Sequence, residues 1–133
     1  MQSKPILTQK EVTRILAAGR AEAQQNLWPV TIVVVDDGGH PLSLERLDGC
    51  AAIGAYIATE KARSAALGRR ETKGYEEMVN GGRTAFISAP LLTSLEGGVP
   101  IVVDGHVVGA VGVSGVKGEQ DAQIAKAAAT ALS

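Results

Sequence analysis

Residues 97–115 read GGVPIVVDGHVVGAVGVSG, and this stretch decides the fold. Two apolar runs, residues 99–103 and 107–113, flank Asp104-Gly105. An Asp-Gly pair between β-branched runs predicts a two-residue hairpin, because a type I′ turn needs φ > 0 at both central positions. Neither run alternates apolar and polar residues, so both faces of this hairpin are expected to be covered. Glycines at 109, 112 and 115 predict that another backbone or a ligand comes close. Ser114-Gly115 ends the second strand and leads towards a helix.

Working outward, residues 30–35 (VTIVVV) form an unbroken β-branched strand, turned by Asp36-Asp37-Gly38-Gly39. Residues 41–47 return as its partner, with Pro41 at a strand start or an edge. Leu7 to Val12 carry a helix start. Thr8 and Glu11 have capping-box spacing, and Leu7 and Val12 the spacing of a hydrophobic staple. That helix runs to about Gln25. A long helix follows over residues 51–68. On a helical wheel Ala55, Ala58, Ala62, Ala65 and Ala66 make one smooth face. Ile53, Tyr56, Ile57, Ser64 and Leu67 make another, with Glu60 in its middle and Lys61 at its border. A carboxylate so placed needs a partner or a wet cavity. Residues 69–90 are the least regular, with a short helix over 72–79 and a turn over 84–88. Residues 91–94 are read as a short strand. A last helix spans residues 118–132, with Glu119 and Asp121 in its first turn favouring the helix dipole. Hairpins separated by helices predict an α+β layer fold with an antiparallel sheet, not a doubly wound one.

The totals bound the function. A chain of 133 residues is read as one domain, 1–133. Its net charge of −1 and lack of a basic block argue against nucleic acid and anionic membranes. No apolar run approaches the roughly 20 residues of a spanning helix, and no secretory signal opens the chain, so it is placed in the cytoplasm. The single cysteine, Cys50, excludes an internal disulfide. No HxH, HxxxH or CxxC spacing occurs, so no dedicated metal site is expected.

Five residues form the ligand-binding set: His40, Arg46, Asp48, Glu60 and Lys61. His40 follows the Gly pair and is read as a ligand to a metal or haem iron, or as an acid/base, against an ordinary hairpin residue. Arg46 and Lys61 are read as holders of a carboxylate, with Glu60 as proton acceptor, against a salt-bridge set at a subunit contact. His40 and Glu60 are the catalytic candidates if the chain is an enzyme. The ligand pocket is expected between the helix over 51–68 and residues 75–91. His106 is read as an exposed turn flank. Residues 114–118 and Gly97-Gly98 resemble anion-cradling loops, though turn glycines explain them as well. Cys50 opens a helix but lacks a paired base.

Several segments taken together resemble one family. They are Val34-Val35-Asp36 with Gly38-Gly39-His40, Arg46-Leu47-Asp48-Gly49, Glu60-Lys61-Ala62, Gly97-Gly98-Val99-Pro100-Ile101, and residues 109–115 with Gln120-Asp121. The combination is similar to the GlcG/HbpS family, the haem-degrading or haem-binding HbpS-like group, related to the C-terminal domain of PduO-type proteins. The resemblance implies profilin-like α-β-α layers around a five-stranded antiparallel sheet. It implies a homo-oligomer, as dimer, tetramer or octamer, and haem as a cofactor of some members. It further implies a link to small-acid or small-alcohol catabolism. By the same resemblance, His40 is the residue most expected to touch a ligand. The function expected is therefore an oligomeric small-ligand-binding or haem-binding protein. The alternatives are an enzyme acting on a small carboxylate or aldehyde, and a structural accessory subunit.

Overall fold

In the computed structural model, which describes residues 1–133, Asp104 and Gly105 take φ of 51° and 76°. They join β3 (Gly98–Val103) to β4 (His106–Ser114) by the tight turn the sequence predicts. β1 (Thr31–Asp36) and β2 (Pro41–Arg46) form the other hairpin. β1 also pairs antiparallel with β4, so the order is β2-β1-β4-β3. β1 and β4 are therefore central, and nearly all their residues are buried, which accounts for their unbroken apolar runs. Both strand prolines, Pro41 and Pro100, fall on the edge strands, where a missing N–H costs no ladder bond.

The sheet has four strands, not the five that the resemblance implies. The remaining stretch read as extended, residues 91–94, joins no ladder. Leu91 is left-handed (φ 56°), and the Thr93 amide donates to Ser64 Oγ at 2.7 Å instead of to a neighbouring strand.

Helices cover both faces. α1 (Gln9–Gln25) and α4 (Gly118–Ala129) place Val12, Ile15, Leu16, Ile124, Ala125 and Ala128 against Ile32, Val34, Val111 and Val113. The predicted capping box is present, with the Thr8 amide donating to Glu11 at 2.9 Å, and Leu7 packs on this core. On the opposite face, α2 (Ile53–Gly68) lays Ala58, Ala62, Ala65 and Ala66 on Val33, Val35 and Ala110. Alanines bring this helix unusually close to the sheet. A Cβ at Gly112 would collide with the Ala58 carbonyl and the Ala62 amide, so only glycine fits beneath the helix.

α3 (Thr72–Asn80) and a 3-10 turn (Thr84–Ser88) lie beyond α2, with Tyr75 stacked on Phe86 at 5.4 Å. The hollow they make, of about 560 Å³, is lined by Glu76, Val79, Asn80, Ile87, Ser94 and Leu95. No α2 residue lines it, which corrects the pocket expected between α2 and residues 75–91.

Candidate functional site

The turn after β1 is built by one carboxylate. Asp36 Oδ1 accepts the backbone N–H of Gly38 at 2.9 Å and of His40 at 3.0 Å, an Asx turn. The same carboxylate meets His40 Nδ1 at 3.1 and 3.2 Å. With its proton on Nδ1, directed at Asp36, the neutral ring leaves the Nε2 lone pair outward. The His40 side chain is 79% exposed, so Nε2 is open to a ligand. A carboxylate holding the far nitrogen is how proteins fix the tautomer of a ligating or proton-transferring histidine.

Gly39, at φ 79°, seats Arg63 of α2 on this turn: a Cβ there would lie 2.7 Å from Arg63 Cγ. Arg63 Nη2 pairs with Glu60, three residues earlier on the helix. Arg63 Nε is buried and has no hydrogen-bond partner. A buried N–H of this kind is rare, because leaving a donor unmatched costs free energy. His40, Arg63 and Glu60 thus form one edge, where the β1–β2 turn meets α2. Beside it the second face of α2 is open: Ile53 is 61% and Tyr56 74% exposed, and Leu67 is exposed too.

The other expected residues lie elsewhere. Arg46 and Asp48, both exposed, line a cleft of about 690 Å³ with Leu27, Trp28 and Pro29. Glu45 borders that cleft but is held by Arg20 through bonds of 2.5 and 2.6 Å. Arg20 also holds the Glu45 carboxyl below the usual range. Lys61 turns inward. Its ammonium donates to the Val113 carbonyl at 2.9 Å and to Asp121 at 3.0 Å, with side chains 4% and 3% exposed. Arg46 and Lys61 therefore share no cavity and do not hold one carboxylate together. His106 is half-buried rather than exposed.

Sequence reasoning missed Arg63 and the role of Asp36. Both left a signal: a cation three residues after Glu60 on one helix, and an aspartate before a Gly pair, which favours an Asx turn.

A chain with helices on both faces of this antiparallel sheet, and a histidine-bearing hairpin at one edge, belongs to the HbpS-like family. The family model, described as "Haem degrading protein HbpS-like", matches residues 7–130. The chain is 69% identical over 114 residues to Protein GlcG of Escherichia coli K12, covering 86% of this chain and 85% of that one. Among solved structures it is similar to HbpS, with TM-score 0.89 and 28% identity over 100% of this chain and 94% of the other. It is also similar to a PduOC:haem complex, with TM-score 0.85 and 26% identity over 96% and 95%. No helix is long and apolar enough to cross a membrane.

Proposed function

We propose that the chain, as one domain over 1–133, binds a small ligand through His40 Nε2 and the Arg63–Glu60 edge of α2. Haem is the first candidate. The observation that carries this reading is the His40 ring: one nitrogen is held by Asp36 and the other is exposed and unmatched. The haem complex of a similar structure and the family description support the choice of haem. The residues fit such a group. His40 would supply a ring nitrogen to the iron, and the part-exposed Arg63 guanidinium would meet an anionic substituent. Bound haem would supply iron redox chemistry.

The open face of α2, with Ile53, Tyr56 and Leu67, supports assembly with further copies of the chain as a dimer, tetramer or octamer. We further propose a cytoplasmic protein, and a role in small-acid or small-alcohol catabolism as the family resemblance implies. The His40–Asp36 pair also suits a general base, which favours the enzyme as second reading. In that reading His40 or Glu60 moves the proton of a small carboxylate or aldehyde.

Haemin titration tests the first reading. The native chain is expected to give a saturable Soret band, and His40→Ala to weaken binding at least about tenfold. A Soret titration unchanged by His40→Ala would overturn it. Turnover of a small acid without a chromophore, abolished in His40→Ala, would move the assignment to the enzyme. If neither haemin nor any small acid raises the melting temperature, an accessory subunit remains.

A further inference from the structure

A second hollow, of about 380 Å³, opens where four segments meet. The N-terminal stretch brings Lys4, the β1–β2 turn Asp37, the end of α2 Leu67 and Arg69, and the β3–β4 turn His106. Three of its four ionisable groups are basic, on a chain whose net charge is −1. Lys4 is paired with Asp37 and holds that carboxyl below its usual range, so Asp37 stays ionised. Arg69 and His106 differ: neither side chain takes part in any hydrogen bond or ion pair of the chain.

Arg69 also sits in an unfavourable backbone state. It ends α2 with φ 55° and ψ 40°, the left-handed position that glycine normally fills. A side chain there is disfavoured, and no side-chain hydrogen bond or ion pair offsets it. A cation near a helix C-terminus does complement the helix dipole. That explains a positive charge on α2. It does not explain why Lys4 and His106 converge on the same hollow from other segments. The Arg69 backbone N–H caps α2 by donating to the Ala65 carbonyl, but its guanidinium bonds none of the last carbonyls.

We propose that this hollow binds a small oxyanion, a phosphate or carboxylate group, gripped by the Arg69 guanidinium with Lys4 and His106. The planar fork of arginine matches two oxygens of such a group, and lysine adds a point charge. The volume lies within the range of small-molecule pockets. It leaves room for an organic remainder against Leu67 and Val107, so a small organic acid or phosphoester is the ligand class. This hollow shares no lining residue with the His40 edge, although Asp37 belongs to the same β1–β2 turn, and its ligand is not haem.

The test uses the full chain and two probes, inorganic phosphate and acetate, each titrated at constant ionic strength and followed by amide NMR. Saturable shifts centred on residues 67–69 and 105–107 are expected with at least one probe. Saturation by phosphate alone assigns a phosphoester, and by acetate alone a carboxylate. Arg69→Gly suits the left-handed backbone, so it should fold with an equal or higher melting temperature while weakening the anion at least about tenfold. Lys4→Ala should weaken it less, and His40→Ala should leave it unchanged. Loss of anion binding in His40→Ala would merge the two sites and overturn the proposal. So would the absence of a saturable shift with both probes, or native affinity in Arg69→Gly.

Discussion

Glu60 and Lys61 are neighbours on α2 and lead into two unlike regions. Lys61 points inward, where its ammonium joins Asp121 on α4 and the Val113 carbonyl on β4, and Asp121 Oδ1 accepts the Val116 amide at 3.1 Å. Both charged side chains there are engaged, and water is excluded. Glu60 belongs to the outer edge, where Arg63 rests on the β1–β2 turn and His40 faces solvent. There, capacity is left over: one imidazole nitrogen has no partner and faces solvent, beside a guanidinium that is partly exposed. The difference separates scaffold from site. Both regions are charged, but only the outer one can still accept a guest.

The largest expected effect comes from breaking the inner region. Lys61→Met strands Asp121 as a buried carboxylate, and should destabilise the fold by about 3–5 kcal/mol in urea unfolding. The double variant Lys61→Met with Asp121→Leu should recover most of that loss, since an apolar pair of similar volume removes the uncompensated charge. A loss below about 1 kcal/mol for Lys61→Met would put the inner pair in the class of exposed ion pairs, and the contrast with the outer edge would fail.

The two regions were not equally legible in the sequence. Local backbone devices were: the Asp104-Gly105 turn and the Thr8–Glu11 box appear as predicted. The alanine face of α2 was legible too, but not that Gly112 lies beneath it. The fate of Lys61 was not. It lies at the border of a helix face, and only the packing of α2 against β4 and α4 decides that it turns inward. Asp121 reads as a dipole complement for the same reason, since its partner is sixty residues away in the chain. Arg46 and Asp48 share a cleft because a short loop joins them, but that cleft is bounded by Leu27 and Trp28 from a distant segment and by no residue of α2, so Glu60 and Lys61, read as part of the same set, lie outside it. Residues 91–94 have strand-like composition, yet the left-handed Leu91 and the bond to Ser64 are set by tertiary contacts.

A smaller effect sharpens the outer region. In Gly39→Ala the new methyl carbon would lie 2.7 Å from Arg63 Cγ, on a backbone with φ 79°. The strain should cost about 1–2 kcal/mol, read as a lowered melting temperature. Because Arg63 must move, haemin affinity should fall as well, although the His40 ring itself is intact. A variant that loses stability but binds as the native chain would show that Arg63 acts only in packing.

The smallest effect is in pH dependence, and here the two kinds of carboxylate should oppose each other. Burial pushes the Asp121 carboxyl above its ordinary 3.8, and the Lys61 ammonium offsets part of the rise. Protonation is then favoured in the folded chain, so Asp121 adds stability as the pH falls through its raised value towards the ordinary one. Glu45 behaves oppositely. Its bond to Arg20 holds it below its ordinary 4.5, so its contribution is present above that value and is lost as the pH falls through the lowered one. Carboxyl NMR should therefore find Asp121 titrating above ordinary aspartate and Glu45 below ordinary glutamate. Asp121→Asn should remove the opposing gain, so the melting temperature falls more steeply on acidification than in the native chain. An Asp121 carboxyl found below its ordinary range would mean that the Lys61 charge outweighs burial. The inner pair would then stabilise the fold by attraction in its own right, rather than only being kept from harm by having its partner.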